Sequence, residues 1–192
     1  MPRKRPAPRL PTVTEENMTP AQRKLRDAIA PGPRGRLIMN GPFGCFLHAP
    51  EYGEAAQALG AQVRFRTSLP PRLSEFAILT TARLWRAQYE WFAHAPIAEK
   101  AGVLPQTVRD LKAGRKPARA PADERALHDF ITELYRTRRV SDATYRRVHK
   151  LLGDAGMVEL VGILGYYSLI SMTLNVFRAA IPEEAPLPFA ER

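Results

Sequence analysis

Cysteine is nearly absent from this chain: its 192 residues include one, Cys45. A single thiol excludes an internal disulfide, a cysteine-built zinc cluster and a CxxC redox pair within one chain. Such sparing use suits a reducing setting, so a cytoplasmic location is expected. Period-two alternation of polar and apolar residues is also missing over any useful length, which leaves no basis for strands. The opening MPRKRPAPRL lacks the apolar stretch of a secretion signal and is too rich in proline for an amphipathic targeting helix. The sequence therefore reads as a disordered basic arm over 1–18, one helical domain over 19–180 and a C-terminal tail over 181–192. The fold class is all-α.

Charge is what the chain has in excess, with a net +10 at neutral pH. Four of the 29 basic residues, Arg3, Lys4, Arg5 and Arg9, sit in the first ten, leaving 25 against 19 acidic residues. A second basic cluster, RDLKAGRKPAR over 109–119, lies around a helix end, where the dipole favours cations. Neither cluster interleaves aromatics in the manner of a nucleic-acid surface. No nucleic-acid partner is expected, and attraction of small organic acids is the simpler use of the charge.

Helix signals recur along the chain. Thr19 followed by Pro20 is a cap and a first-turn proline, opening a helix to about Ala30. PGPRGRLIMNGPFG breaks regularity. Helices are expected again from Pro50, after the tandem Pro70-Pro71, from Gln88 to about Ala101, and from Pro105 to near Gly114. Two more begin near Asp123 and after Ser141. MVELVGILGYYSLISMTLNVF, over 157–177, has the length of a bilayer span and one charge, Glu159. Its glycines, serines and tyrosines instead suit a helix at the centre of a bundle or a subunit interface, so no membrane partner and a homo-oligomer (dimer, trimer or hexamer) are expected.

Glu90 and His94 stand four residues apart on one helical face, with the small Ala87 one turn earlier. Alone, such a pair is an ordinary helix ion pair. A carboxylate there also orients an imidazole and supports its charged form. Glu75, beside an apolar stripe on the preceding helix, reaches His94 if the two helices pack together. A ferritin-like di-metal site would need two ExxH pairs, and serine hydrolysis a GxSxG elbow; neither is present. No metal is expected.

The segment LPPRLSEFAILTTARLWRAQYEWFAHAPIAEKAGV (69–103) resembles the core of the carboxymuconolactone decarboxylase and alkylhydroperoxidase D superfamily. The flanking NGPFGCFLHAPEYGEAAQALGAQVRFRTSLP and ELVGILGYYSLISMTLN resemble its decarboxylase-like branch. In the redox branch a Glu is followed by CxxC and then a His four residues after the second Cys. Here the Glu falls at Glu75 and the His at His94, while Ala87 and Glu90 stand where the cysteines would be. The resemblance implies a single-domain helical bundle without the CxxC redox chemistry, which needs a nucleophilic and a resolving thiol. It also implies a place in the breakdown of aromatic compounds.

The reaction implied is that of a carboxy-lyase on a small lactone or related organic acid. Carbon dioxide leaves, the electrons pass into the conjugated lactone carbonyl, and no cofactor is required. His94 would be the general acid, Glu90 would orient and charge it, and Glu75 would be a second proton carrier or its partner. Arg72 or Arg86 would bind a substrate carboxylate, His48 resembles a pocket histidine of the branch, and Trp91 would be pocket wall. Two other readings stay open: a non-catalytic helical oligomer of the same fold, and a thiol-independent oxidoreductase-type family member.

Overall fold

The computed structural model describes residues 5–30 and 41–190, and within them every regular element is a helix. These are α1 (Pro20–Ile29), α2 (Gly41–Phe46), α3 (Pro50–Phe65), α4 (Pro71–Trp85), α5 (Gln88–Lys100), α6 (Pro105–Lys112), α7 (Ala122–Thr137) and α8 (Asp142–Phe177). Proline opens α1, α3, α4 and α6, where its missing N–H costs nothing and its fixed φ suits the first turn. Thr19 and Gln22 form a reciprocal capping box at α1. Within the stretch expected to be irregular, 31–40 lies outside the described residues and 41–46 is the short helix α2.

Ten consecutive residues of α4, Leu73 to Ala82, are buried. A helix covered on all sides belongs at the centre of a bundle. Accordingly α4 packs against α5, α7 and α8. Phe76, Ala77, Ile78 and Leu79 are wholly inaccessible, and burying a side chain the size of Phe76 contributes about 2–3 kcal/mol. This central position draws Glu75 and Ser74 inside with their apolar neighbours.

By length and composition α8 could cross a membrane. One face of it, including Leu160, Ile163, Tyr167, Ile170 and Leu174, is buried in the bundle. Val158, Val161, Met172 and Val176 remain exposed. The helix breaks at Gly153, whose φ of 65° and ψ of −176° only glycine adopts cheaply. A hydrogen bond of 2.7 Å between His149 and Asp154 spans the break.

The expected disordered arm does not describe residues 5–18, although residues 1–4 lie outside the described part. The Arg9 backbone N–H donates to the Phe177 carbonyl at 3.0 Å, and its guanidinium donates to the Val176 carbonyl at 2.8 Å. Helix C-termini leave such carbonyls without partners and carry partial negative charge, so a basic strap is held there. Val13 and Met18 are buried. The C-terminal segment is likewise anchored: Phe189 is buried with its ring edge-on to Trp91 at 5.3 Å. The Gln88 side chain also holds the Phe189 backbone at both its N–H and its carbonyl.

Candidate active site

Because α4 and α5 pack side by side, Glu75 from the first meets Glu90 and His94 from the second. His94 Nδ1 and Glu75 Oε2 are 2.7 Å apart, a hydrogen bond in which the ring N–H donates. Nε2 lies 3.5 Å from Glu90 Oε2, within ion-pair range. That Glu90 oxygen has no hydrogen-bond partner. All three residues are buried, at 7% exposure for Glu75, 3% for Glu90 and 4% for His94. The Tyr167 ring meets the imidazole edge-on at 5.2 Å and fixes its plane. The orienting partner is thus Glu75 rather than Glu90, since only Glu75 is close and aligned enough to hold one tautomer.

Glu90 and His94 open onto a cavity of about 410 Å³, walled by Arg64, Tyr89, Tyr166 and Tyr167. Ile29, Phe43, Phe92, Ile97 and Ile170 give it an apolar remainder. Pro96 interrupts the α5 ladder because it has no N–H to offer the Phe92 carbonyl. Phe92 and Ile97, on either side of it, stand part-exposed at the cavity. Among the described residues Arg64 has no carboxylate within ion-pair distance, and its guanidinium lies 5.0 Å from the Phe65 ring. No His, Cys, Asp or Glu group among the described residues is arranged to hold a metal ion.

Burial holds the Glu90 carboxyl above the ordinary carboxylate range. The nearby His94 and Arg64 oppose the rise and Glu75 adds to it. The folded chain therefore binds this proton more tightly than the unfolded chain does. That stabilisation is complete below the ordinary value of 4.5 and is lost as pH rises through the folded value. Each pH unit inside that window removes about 1.4 kcal/mol. Glu90→Gln mimics the neutral acid, so in thermal melts it should gain on wild type as pH rises from about 5. A constant difference across pH would mean that Glu90 is ionised throughout. Burial also raises the Tyr167 phenol far above its usual value, keeping it neutral.

The remaining residues singled out from the sequence lie elsewhere. Arg72 is engaged by Asp123 at 2.6 Å and Glu124 at 2.5 Å, tying α4 to α7. Arg86 donates to the Ala190 carbonyl at 2.5 Å and faces the Phe189 ring. His48 is exposed, its Nε2 3.0 Å from the Pro11 carbonyl, in a separate cavity with Cys45. Trp91 packs on Phe189 and does not line the His94 cavity. Each was attractive by residue type, but its partners come from distant segments. Arg64, by contrast, lines the His94 cavity although an arginine in QVRFRT has no local mark to distinguish it from a solvated one.

Residues 50–128 match the model of the carboxymuconolactone decarboxylase family. No curated protein matches the sequence. Among solved structures, an alkylhydroperoxidase core described as an uncharacterized peroxidase-related protein from Ralstonia eutropha JMP134 is similar, with a TM-score of 0.76 at 16% identity. That likeness covers 93% of this chain and 94% of the other. An uncharacterized peroxidase-related protein from Silicibacter sp. TM1040 has a TM-score of 0.73 at 13% identity, over 92% and 93% of the two chains. The chain thus has an alkylhydroperoxidase D-like helical fold over most of its length, and within it residues 50–128 are similar to the carboxymuconolactone decarboxylase family.

Proposed function

We propose that this protein is a cofactor-independent acid–base lyase acting on a small lactone or related organic acid. The observation that carries the reading is an imidazole oriented by one buried carboxylate and 3.5 Å from another, both opening onto a largely apolar cavity with a guanidinium in its wall. His94, with Nδ1–H fixed on Glu75, presents Nε2 to the cavity. In the imidazolium form that nitrogen delivers a proton to the carbon from which carbon dioxide has left. Arg64 balances the enolate charge as it develops. Glu90, held toward its neutral acid, returns a proton to Nε2 and takes its own replacement from water in the cavity once product has left, so each turnover consumes one solvent proton. The apolar wall keeps water from competing for the carbanion.

The two solved structures named above are described as peroxidase-related, yet thiol chemistry is poorly supported in this chain. The one cysteine, Cys45, lies in a different cavity, and burial raises its thiol above the usual value, away from the reactive thiolate. Cys45→Ser should leave turnover within about twofold of wild type. Abolition of activity by that change would return a thiol mechanism to consideration. The direct test of the proposal is release of carbon dioxide from a panel of unsaturated lactone acids, with His94→Gln as the control. No turnover across the panel, or equal turnover in both proteins, would sink it. For assembly into a homo-oligomer, the exposed α8 face of Val158, Val161, Met172 and Val176 is the candidate surface.

A further inference from the structure

A second cavity, of about 470 Å³, lies between the α4–α5 turn, the C-terminal end of α8 and the segment that follows. Tyr89 is a wall of both this cavity and the one at His94. Arg5, Arg86 and Arg178 line it, and no aspartate or glutamate among the described residues does. None of the three arginines has a carboxylate partner among the described residues. Arg5 and Arg86 are bonded to backbone carbonyls, whereas Arg178 is exposed with no hydrogen bond from its guanidinium there.

Basic residues at the ends of α4 and α8 would ordinarily be explained by the exposed helix carbonyls. Here that need is met from elsewhere. Asn175 donates to the Trp85 carbonyl at 2.9 Å, and Arg9 takes those of Val176 and Phe177. Trp85, which lines the cavity, has a buried indole N–H with no acceptor. Like charges gathered around a hollow, beside an unused donor, leave an arrangement that an oxyanion would complete. Leu174, Ile181 and Leu187 give the cavity an apolar side, while Gln88 and Asn175, which also line it, are engaged by the backbone of Phe189 and Trp85.

We infer that this cavity binds a small organic anion, its oxyanion head held by Arg178 and Arg86 and its apolar body against Leu174, Ile181 and Leu187. The site is separate from the proposed reaction centre and does not depend on the lyase reading. It is tested by calorimetric titration of the full chain at fixed ionic strength with benzoate, phenyl phosphate and inorganic phosphate. Arg64→Gln serves as the background, to remove anion binding at the His94 cavity. One equivalent of benzoate or phenyl phosphate should still bind in that background, and whichever binds tighter identifies the head as carboxylate or phosphate. Adding Arg178→Gln should weaken binding at least tenfold, and Arg178→Lys should restore part of it by keeping charge without the planar fork. Absence of binding in the Arg64→Gln background would overturn the inference. So would indifference to Arg178, or inorganic phosphate binding as tightly as phenyl phosphate.

Discussion

His94→Gln is expected to slow decarboxylation by about 10²–10⁴-fold with little change in KM, because it removes the proton donor while leaving the cavity walls in place. Glutamine is close in volume and can still donate to Glu75, so the fold should survive; far-ultraviolet circular dichroism and a melting curve would check this. Glu75→Gln should cost a similar factor by a different route. Its amide can donate to Nδ1, which leaves a neutral ring with its proton on Nε2, a far weaker acid than the imidazolium that the Glu75 charge supports. Glu75→Asp, which keeps an acceptor of the same charge, should recover part of the rate. Unchanged rates in both His94→Gln and Glu75→Gln would reduce the three residues to a buried polar cluster.

The largest stability effect is expected at Arg72. Its guanidinium bonds Glu124, which is wholly inaccessible and has a second oxygen, Oε2, without a partner. Arg72→Met strands that carboxylate in the bundle. Breaking a buried pair on one side typically costs 3–5 kcal/mol, and because Arg72 is itself part-exposed, about 3 kcal/mol is expected here. In a chain of this size that lowers the melting temperature by about 6–12 °C. Burial already raises the Glu124 carboxyl, against the opposing pull of Arg72, and removing Arg72 raises it further. The folded variant then gains from protonation, so its deficit should shrink as pH falls through the carboxylate range. Arg72→Met with Glu124→Gln should be less damaged than Arg72→Met alone. Were Arg72 a substrate-binding residue instead, the loss would appear in KM with the melting temperature unmoved.

What could be read from the sequence divides by the range of the interactions involved. First-turn prolines, the Thr19 cap and the glycines after α5 and α6 act within a few residues, and they locate most helices. Glu90 with His94 was legible for the same reason, being one helical turn apart. Glu75 needed the packing of α4 on α5, which the family spacing supplied and periodicity alone did not. The division of labour between the two carboxylates was not legible, because it depends on a difference between 2.7 Å and 3.5 Å. Arg64 reaches the cavity from α3, and nothing in its neighbours says so. The docking of residues 5–18 is not legible, because composition reports charge and proline but not the helix end that accepts them.

That arm carries a consequence for synthesis. Residues 5 and 9 find their partners at 176–185, some 170 positions later in the chain. During translation, the first-made residues of this structure must wait for the last-made helix before they can dock. Closing so long a separation is slow relative to forming local helices. Until then the carbonyls of Val176 and Phe177 lack the donors that Arg9 supplies. Ribosome-bound chains halted before residue 176 should therefore expose the N-terminal segment to proteases that spare it in the finished protein.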